Sequence, residues 1–458
     1  MRLRNWQRRA IDLALQKFKY PYTHFLCLAT PGAGKTVMAS VLADTLLKQG
    51  KVDFVLCFSP STVVANDFRV EVETITGKRF CGGLGAIGAS LTYQSMRHLD
   101  DSFWHLLKNY RVLVVFDEIH HCAGNQIKNS NAWGAEILRR IQGKAFYTIA
   151  LTGTPWRSDS IPISLATYAG NNNQIQLDYS YDLRQAINDG VCRTPHLTLI
   201  DNEFIGVVEE GENKTFGSIS NFIEDSSQPY TQLISHDKVL RKILKHGISR
   251  LNKERSTYSD AGGLIVAASI SHAMKIRYLL SELGENSEVV TYKDNQPERL
   301  IQRFKQSKEK WIISIGMISE GTNIPRLRVC CYLSLITTEL YFRQVLGRVL
   351  RVQTNDKGMG YLITLAHPRL LEFASRVSEE VPHCTVLHDS DTSQKSYQEP
   401  SISRKTKNSP IIIVDQELKK RFFNETEGSE MTLCTPLPSW HETAIGSFGR
   451  FREKVFLL

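Results

Sequence analysis

The sequence predicts an α/β protein with two doubly wound parallel sheets and a small C-terminal extension. Three observations carry this. Short apolar, β-rich runs alternate with helical stretches over residues 1–375. The runs are near-continuously apolar rather than strictly alternating, as expected of strands covered on both faces. The alternation also falls into two successive blocks, around a polar stretch at 201–230 that suits either a hairpin insertion or a loose loop.

Buried strands are read at 25–29, 52–59, 111–116, 147–152, 263–269, 288–292, 311–316, 329–335 and 361–365. Val37–Gln49 and Ser271–Leu283 carry helical periodicity, and Gly50 and Gly284 stand where helix-ending glycines stand. The expected blocks are 1–190 and 191–375, with an extension at 376–458. Residues 389–410 have the composition of a linker or mobile loop, and an apolar strand follows at 411–414. The extension carries no readable motif; it either docks a partner protein or braces the second block.

Length and composition bound the function. At 458 residues the chain suits two or three domains, and 42% apolar residues suffice to pack them. No apolar run approaches the roughly 20 residues of a membrane span. The basic N-terminus contains Asp12 and lacks the apolar core of a secretory signal. Nine scattered cysteines form no CxxC pair, which points to a reducing compartment without a disulfide frame or zinc site. His383, Cys384 and His388 could make half a metal site, but no further ligands follow at fitting spacings, and a plain loop reading is preferred. The expected location is the cytoplasm, of bacterial, phage or mobile-element origin. A formal net charge of +9 allows a polyanionic partner without demanding one.

The run Ala29-Thr30-Pro31-Gly32-Ala33-Gly34-Lys35-Thr36 follows a strand and opens a helix. Glycines there let backbone N–H groups face phosphate oxygens, and the helix N-terminus adds its positive dipole end. Pro31, Gly32, Ala33 and Gly34 form the cradle. Lys35 is expected to reach the β- and γ-phosphates of ATP, and the Thr36 hydroxyl to bind Mg²⁺. Asp117-Glu118-Ile119-His120 ends the strand 111–116, so its carboxylates point into the ligand crevice. Asp117 is expected to hold Mg²⁺ through water, and Glu118 to act as general base on the attacking water.

With the phosphate loop upstream, this DEIH run resembles the DEAD/DEAH-type superfamily 2 helicases, and the resemblance extends over most of residues 1–370. It implies two tandem RecA-like domains. Leu3-Arg4-Asn5-Trp6-Gln7 is similar to the family's N-terminal element, in which Gln7 would read the adenine edge and Arg4 lie beside the base. Leu151-Thr152-Gly153-Thr154-Pro155 resembles the motif that couples hydrolysis to the nucleic-acid face, with Thr152, Thr154 and His120 as coupling residues. The continuation into Trp156-Arg157 resembles the restriction-subunit and repair-helicase branch.

Residues 339–351, ELYFRQVLGRVLR, place Gln344, Arg348 and Arg351 at i, i+4 and i+7 on one predicted helix face, with Gly347 leaving a gap. Two arginines and a glutamine there suit stabilisation of a transferring phosphoryl group, and the spacing resembles the family's QxxGRxxR motif. Ser319–Pro325 resembles a further motif, in which Gly321 and Asn323 would contact the nucleotide and Thr322 the nucleic acid. Asn323 stands where the family usually has aspartate, so an ion-paired role is lost there.

Three segments occupy the family's strand-binding positions: Ser59 and Ser61, Thr92 and Ser95, and Ser269. Their hydroxyls suit phosphate contacts that position a strand without reading sequence. Tyr93 and Trp156 are base-stacking candidates, although an aromatic is more often part of the core. The resulting expectation is an ATP- and Mg²⁺-dependent helicase or translocase on single-stranded, duplex or branched DNA, in repair, recombination or defence against foreign DNA. The alternatives are a motor subunit of a restriction or anti-phage complex, a non-catalytic clamp, and an RNA helicase. Intact Lys35, Glu118, Arg348 and Arg351 oppose the clamp.

Overall fold

The computed structural model describes residues 3–19, 23–154, 161–169, 174–209, 212–225, 230–291, 293–294, 296–316, 324–352, 358–379, 386–387 and 444–457. Trp156, Gly321, Thr322, Asn323, the 389–410 and 411–414 segments, and His383, Cys384 and His388 lie outside these residues.

The first sheet contains β1 (His24–Ala29), β2 (Phe54–Ser59), β3 (Gly88–Thr92), β4 (Val112–Phe116), β5 (Tyr147–Thr152) and β6 (Tyr179–Tyr181). Its order is β3-β2-β4-β5-β1-β6, and every pairing is parallel. Every residue of β4 and β5 is buried, which explains the unbroken apolar sequence of β4 and the largely apolar one of β5. Three helices matter for the site: α1 (Asn5–Lys17), α2 (Lys35–Lys48) and α3 (Thr62–Thr76). Helix α1 buries Trp6, Ala10, Ile11 and Ala14, one stripe at helical spacing, and Trp6 stacks on Tyr181 with ring centroids 5.0 Å apart.

The second block starts with β7 (Thr194–Asn202) and a hairpin of β8 (Ile205–Glu209) and β9 (Glu212–Phe216). It continues through α4 (Asp237–Thr257), β10 (Gly262–Val266), α5 (Ile270–Glu282), β11 (Ser287–Val290), α6 (Pro297–Gln306), β12 (Trp311–Ser314), β13 (Leu327–Tyr332), α7 (Glu339–Val349), β14 (Met359–Leu365) and α8 (Pro368–Glu379). The last elements are β15 (Val386–Leu387), β16 (Ala444–Phe448) and β17 (Phe451–Leu457). The sheet order is β11-β12-β10-β13-β14-β7-β17-β15. The first six strands are mutually parallel; β17 runs antiparallel beside β7, and β15 antiparallel beside β17.

All nine predicted strands are present. The polar stretch 201–230 holds the β8–β9 hairpin, which β16 extends to three strands. The end of the chain braces the second sheet, because β17 pairs with β7 from Asn202↔Phe451 to His196↔Leu457. The two sheets form two tandem RecA-like domains. Their adjoining faces share one buried cluster, to which Ala33 of the first domain and Cys192, Leu346 and Leu350 contribute.

Candidate nucleotide site

The phosphate loop turns between β1 and α2 with Gly32 at φ 85° and Gly34 at φ 92°, left-handed conformations that glycine adopts without a Cβ penalty. Helix α1 holds the loop from outside. Arg4 Nη1 donates to Ala33 O at 2.7 Å, Trp6 Nε1 to the same oxygen at 3.2 Å, and Gln7 Nε2 to Gly34 O at 2.9 Å. Gln7 Oε1 accepts from Arg4 N at 2.9 Å, so both ends of the carboxamide have protein partners. Sequence reasoning missed Trp6; a buried indole N–H needs an acceptor, and the loop carbonyl supplies it.

The carboxylates leave the end of β4. Glu118 has φ 50° and ψ 53°, a left-handed conformation uncommon outside glycine. Its side chain is gripped from three sides. Lys35 Nζ lies 3.0 Å from Oε1, while Gly153 N donates to Oε2 at 3.1 Å and His120 Nδ1 lies 3.4 Å from Oε2. Lys35 also donates to Ala29 O at 3.1 Å. Burial alone would raise the Glu118 carboxyl, but Lys35 and His120 outweigh it and hold the group well below the usual carboxylate range. Burial, and then the charge of Glu118 beside it, push Asp117 upward. The two neighbours are thus driven apart, which assigns the stable negative charge to Glu118.

A chain of contacts leads away from Glu118. His120 Nδ1 and Thr152 Oγ1 are 2.9 Å apart. The Thr152 hydroxyl donates to Thr154 O at 2.5 Å and accepts from Thr154 N at 3.1 Å. Its single proton is used, so Nδ1 of His120 must be the donor. All three predicted coupling residues stand in one buried network.

The second domain closes over the loop. A Cβ built at Gly347 of α7 would lie 2.5 Å from Pro31 Cβ, and one at Gly32 would lie 3.1 Å from Arg351 Cγ. Gln344 and Arg348 are buried in the same helix. Arg351 corrects the helix-face reading. Helix α7 ends at Val349, and Arg351 instead forms an isolated bridge with Cys192. The chain crossing between domains captures it there. Cys192 Sγ lies 3.8 Å from Pro31 O, and Arg193 N donates to Leu350 O at 2.7 Å. The buried Arg193 guanidinium donates to Leu327 O, Val349 O and Pro325 O at 2.6, 3.0 and 2.9 Å. Neither Cys192 nor Arg193 carries a motif that would have flagged it.

The strand-binding candidates divide. Ser59 is fully buried against Cys57 Sγ, so it cannot touch a strand as read; it ends β2 inside the sheet. Tyr93 is likewise fully buried and not a base-stacking surface. Ser61 caps α3 by accepting from Val64 N, and the exposed Ser269 caps α5 by accepting from His272 N. Thr92 and Ser95 bond each other: Ser95 N donates to Thr92 Oγ1 at 3.2 Å and Ser95 Oγ to Thr92 O at 2.7 Å. Asp67 of α3 was not singled out from sequence. Burial raises its carboxyl against the opposing charges of Lys305, Arg351 and Arg348.

Comparison with known proteins gives the same order of domains. Residues 1–157 match the family described as type III restriction enzyme, res subunit, and residues 240–353 match the helicase conserved C-terminal domain. Both are helicase domains of the superfamily 2 type, and the chain carries them in tandem. An uncharacterized protein of Mycobacterium leprae is 27% identical over 461 residues, covering 96% of this chain and 75% of the other. An uncharacterized Mycobacterium tuberculosis protein is 28% identical, and this chain spans 64% of its length. The putative ATP-dependent helicase IRC3 of Saccharomyces cerevisiae is 21% identical, with 76% of this chain and 49% of that one covered. In fold, the helicase is similar to a putative HsdR subunit of a type I restriction enzyme from Vibrio vulnificus, with a TM-score of 0.55 at 17% identity, covering 81% of this chain and 65% of that one. The two matched domains make the helicase a nucleic-acid-dependent ATPase. Among the described residues no helix is long and apolar enough to cross a membrane.

Proposed function

We propose that the chain is an ATP-driven DNA motor, a helicase or translocase whose hydrolysis site is divided between its two domains. The observation that carries this is the Lys35–Glu118–Gly153 constellation, faced across the cleft by Gly347 and Arg351. ATP and Mg²⁺ fit it: a glycine turn opens onto the N-terminus of α2, and buried Asp117 stands at the adjoining strand end. Thr36 and Asp117 would hold the metal, which when bound neutralises phosphate charge.

Lys35 would exchange Glu118 for the β- and γ-phosphates. Glu118, released from its ion pair and kept ionised, would take the proton of the attacking water. Gln344, Arg348 and Arg351 would stabilise the transferring phosphoryl group, and Arg4 and Gln7 would flank the base. Gly321 and Asn323 would add nucleotide contacts from the second domain. His120, Thr152 and Thr154 would relay the state of the site to a strand held by Ser61, Thr92, Ser95, Ser269 and Thr322. Closure and reopening of the Pro31–Gly347 contact would then move the domains along the strand.

DNA is favoured over RNA by the match of residues 1–157 to the res subunit of type III restriction enzymes. The same match favours a second reading, a motor subunit whose partner supplies the chemistry on DNA; the extension after residue 376 is the part proposed to meet it. The domain limits proposed are 1–190 and 191–375. The test is ATP hydrolysis by the purified chain, alone and with single-stranded, duplex or forked DNA, or single-stranded RNA. Stimulation by a DNA form supports the autonomous motor. Stimulation by RNA alone overturns the DNA assignment. No stimulation by any of them moves the chain to the partner-dependent reading.

A further inference from the structure

Three strand ends converge on one buried side chain. Tyr93 follows β3 directly, and in the sheet order β3-β2-β4 it is separated by β2 from the carboxylate-bearing strand. Its backbone N donates to Ser59 O, the end of β2, at 2.9 Å. Its hydroxyl reaches past β2 to donate to Asp117 O, just beyond β4, at 2.8 Å. Adjacent strands lie about 4.8 Å apart, so the side chain and its hydrogen bond together bridge roughly two strand spacings. The ring stacks on Trp133 with centroids 5.6 Å apart, and Trp133 meets His121 edge-on at 6.3 Å. Immediately beside Tyr93, Thr92 and Ser95 close a hydroxyl turn at the surface.

We propose that Tyr93 is a positioning residue that couples strand occupancy at Ser61 and Thr92–Ser95 to the carboxylate pair Asp117–Glu118. This rests on the motor reading above. A load on the Thr92–Ser95 turn moves the Tyr93 backbone, and the rigid ring carries the movement to the Asp117 carbonyl. Asp117 and the left-handed Glu118 are consecutive residues, so a shift of that peptide re-aims both carboxylates. This link enters through the Asp117 carbonyl, whereas the His120–Thr152–Thr154 network approaches Glu118 from β5; the two meet where the His120 and His121 rings pack with centroids 4.4 Å apart.

Tyr93→Phe removes the hydroxyl and keeps the ring; Trp133→Phe perturbs the same packing and keeps the hydroxyl. Each variant and the parent chain are assayed for ATP turnover with and without a single-stranded oligothymidylate and a mixed-sequence duplex. Oligonucleotide Kd and thermal melting are measured in parallel. In Tyr93→Phe the ratio of stimulated to basal turnover should fall about fivefold or more, the low end of coupling between two sites, with Kd changed by less than about threefold. Trp133→Phe should keep the ratio within about twofold. A preserved ratio in Tyr93→Phe, an equal fall in Trp133→Phe, or a fall explained by weaker oligonucleotide binding would overturn the proposal. A parent chain that neither nucleic acid stimulates would overturn the motor reading beneath it, and is told apart because the loss then precedes any substitution.

Discussion

Gly347 and Pro31 meet face to face across the interdomain cleft, so closely that one added methyl at Gly347 would stand 2.5 Å from the Pro31 ring carbon. A proline ring has no flexible end to withdraw, so the contact requires glycine on α7. Gly347→Ala should hold the domains apart and lower kcat by about tenfold or more, while a fluorescent nucleotide binds within about threefold of normal. Unchanged kcat in that variant would show that catalysis does not use this contact.

Lys35 and Glu118 form the ion pair at the centre of the site. Lys35→Ala should abolish hydrolysis and leave a cooperative melt, since retained turnover would remove Lys35 from the phosphate site. Glu118→Gln should keep nucleotide binding and lower turnover by about 10² or more, the scale of a lost general base. Rapid-filtration binding and steady-state hydrolysis on one preparation separate these outcomes.

Arg348 comes from the second domain and is buried in the closed arrangement. Arg348→Ala should leave ATP affinity close to normal and cut turnover by about 10³ or more, as loss of an arginine finger does. A change confined to KM would make Arg348 a ground-state binding residue instead.

Four histidines set an acid limit on stability. Burial lowers His24, His196, His272 and His367 from 6.5 to about 4. Each folded-state value lies below the unfolded one, so the unfolded chain binds more protons between these values. Stability is fully present above about pH 6.5 and is lost as pH falls toward 4. Glu453, held at about 2 chiefly by its hydrogen bond from His246, acts lower, between its unfolded value near 4.5 and 2. The melting temperature should therefore fall by several degrees between about pH 7 and 5. A flat profile there would show that the four imidazoles are not held neutral by burial.

The legible parts of the sequence were those where local chemistry and local geometry coincide. The phosphate loop needs its glycines and its flanking strand and helix in one stretch of chain, so residues 29–36 announce it. Strands buried on both faces, such as Val112–Phe116, announce themselves by unbroken apolarity. Less legible was whatever depends on distant partners. The Thr194–Asn202 strand mixes Pro195, His196 and Asp201 into its apolar run, and its place is fixed by Met359–Leu365 on one side and Phe451–Leu457 on the other. Arg351 continues the helical spacing, but its bridge to Cys192 draws it off the helix. Tyr93 stood open between base stacking and the core, because nothing local says that its hydroxyl is used by a residue 24 positions on.

The pairing of Phe451–Leu457 with Thr194–Asn202 has a consequence for biosynthesis. The first sheet is complete once Tyr179–Tyr181 has been made, and its strands can assemble while the rest of the chain is still being translated. The neighbouring Thr194–Asn202 strand is made almost immediately afterwards, but its parallel partner at 359–365 follows roughly 165 residues later and its antiparallel partner at 451–457 roughly 250 residues later. During that interval its hydrogen-bonding edges remain open, as a template for another nascent copy of the same segment. The first domain can therefore be finished before either partner of that strand exists, and the second sheet closes around Thr194–Asn202 only once residues 451–457 have been made.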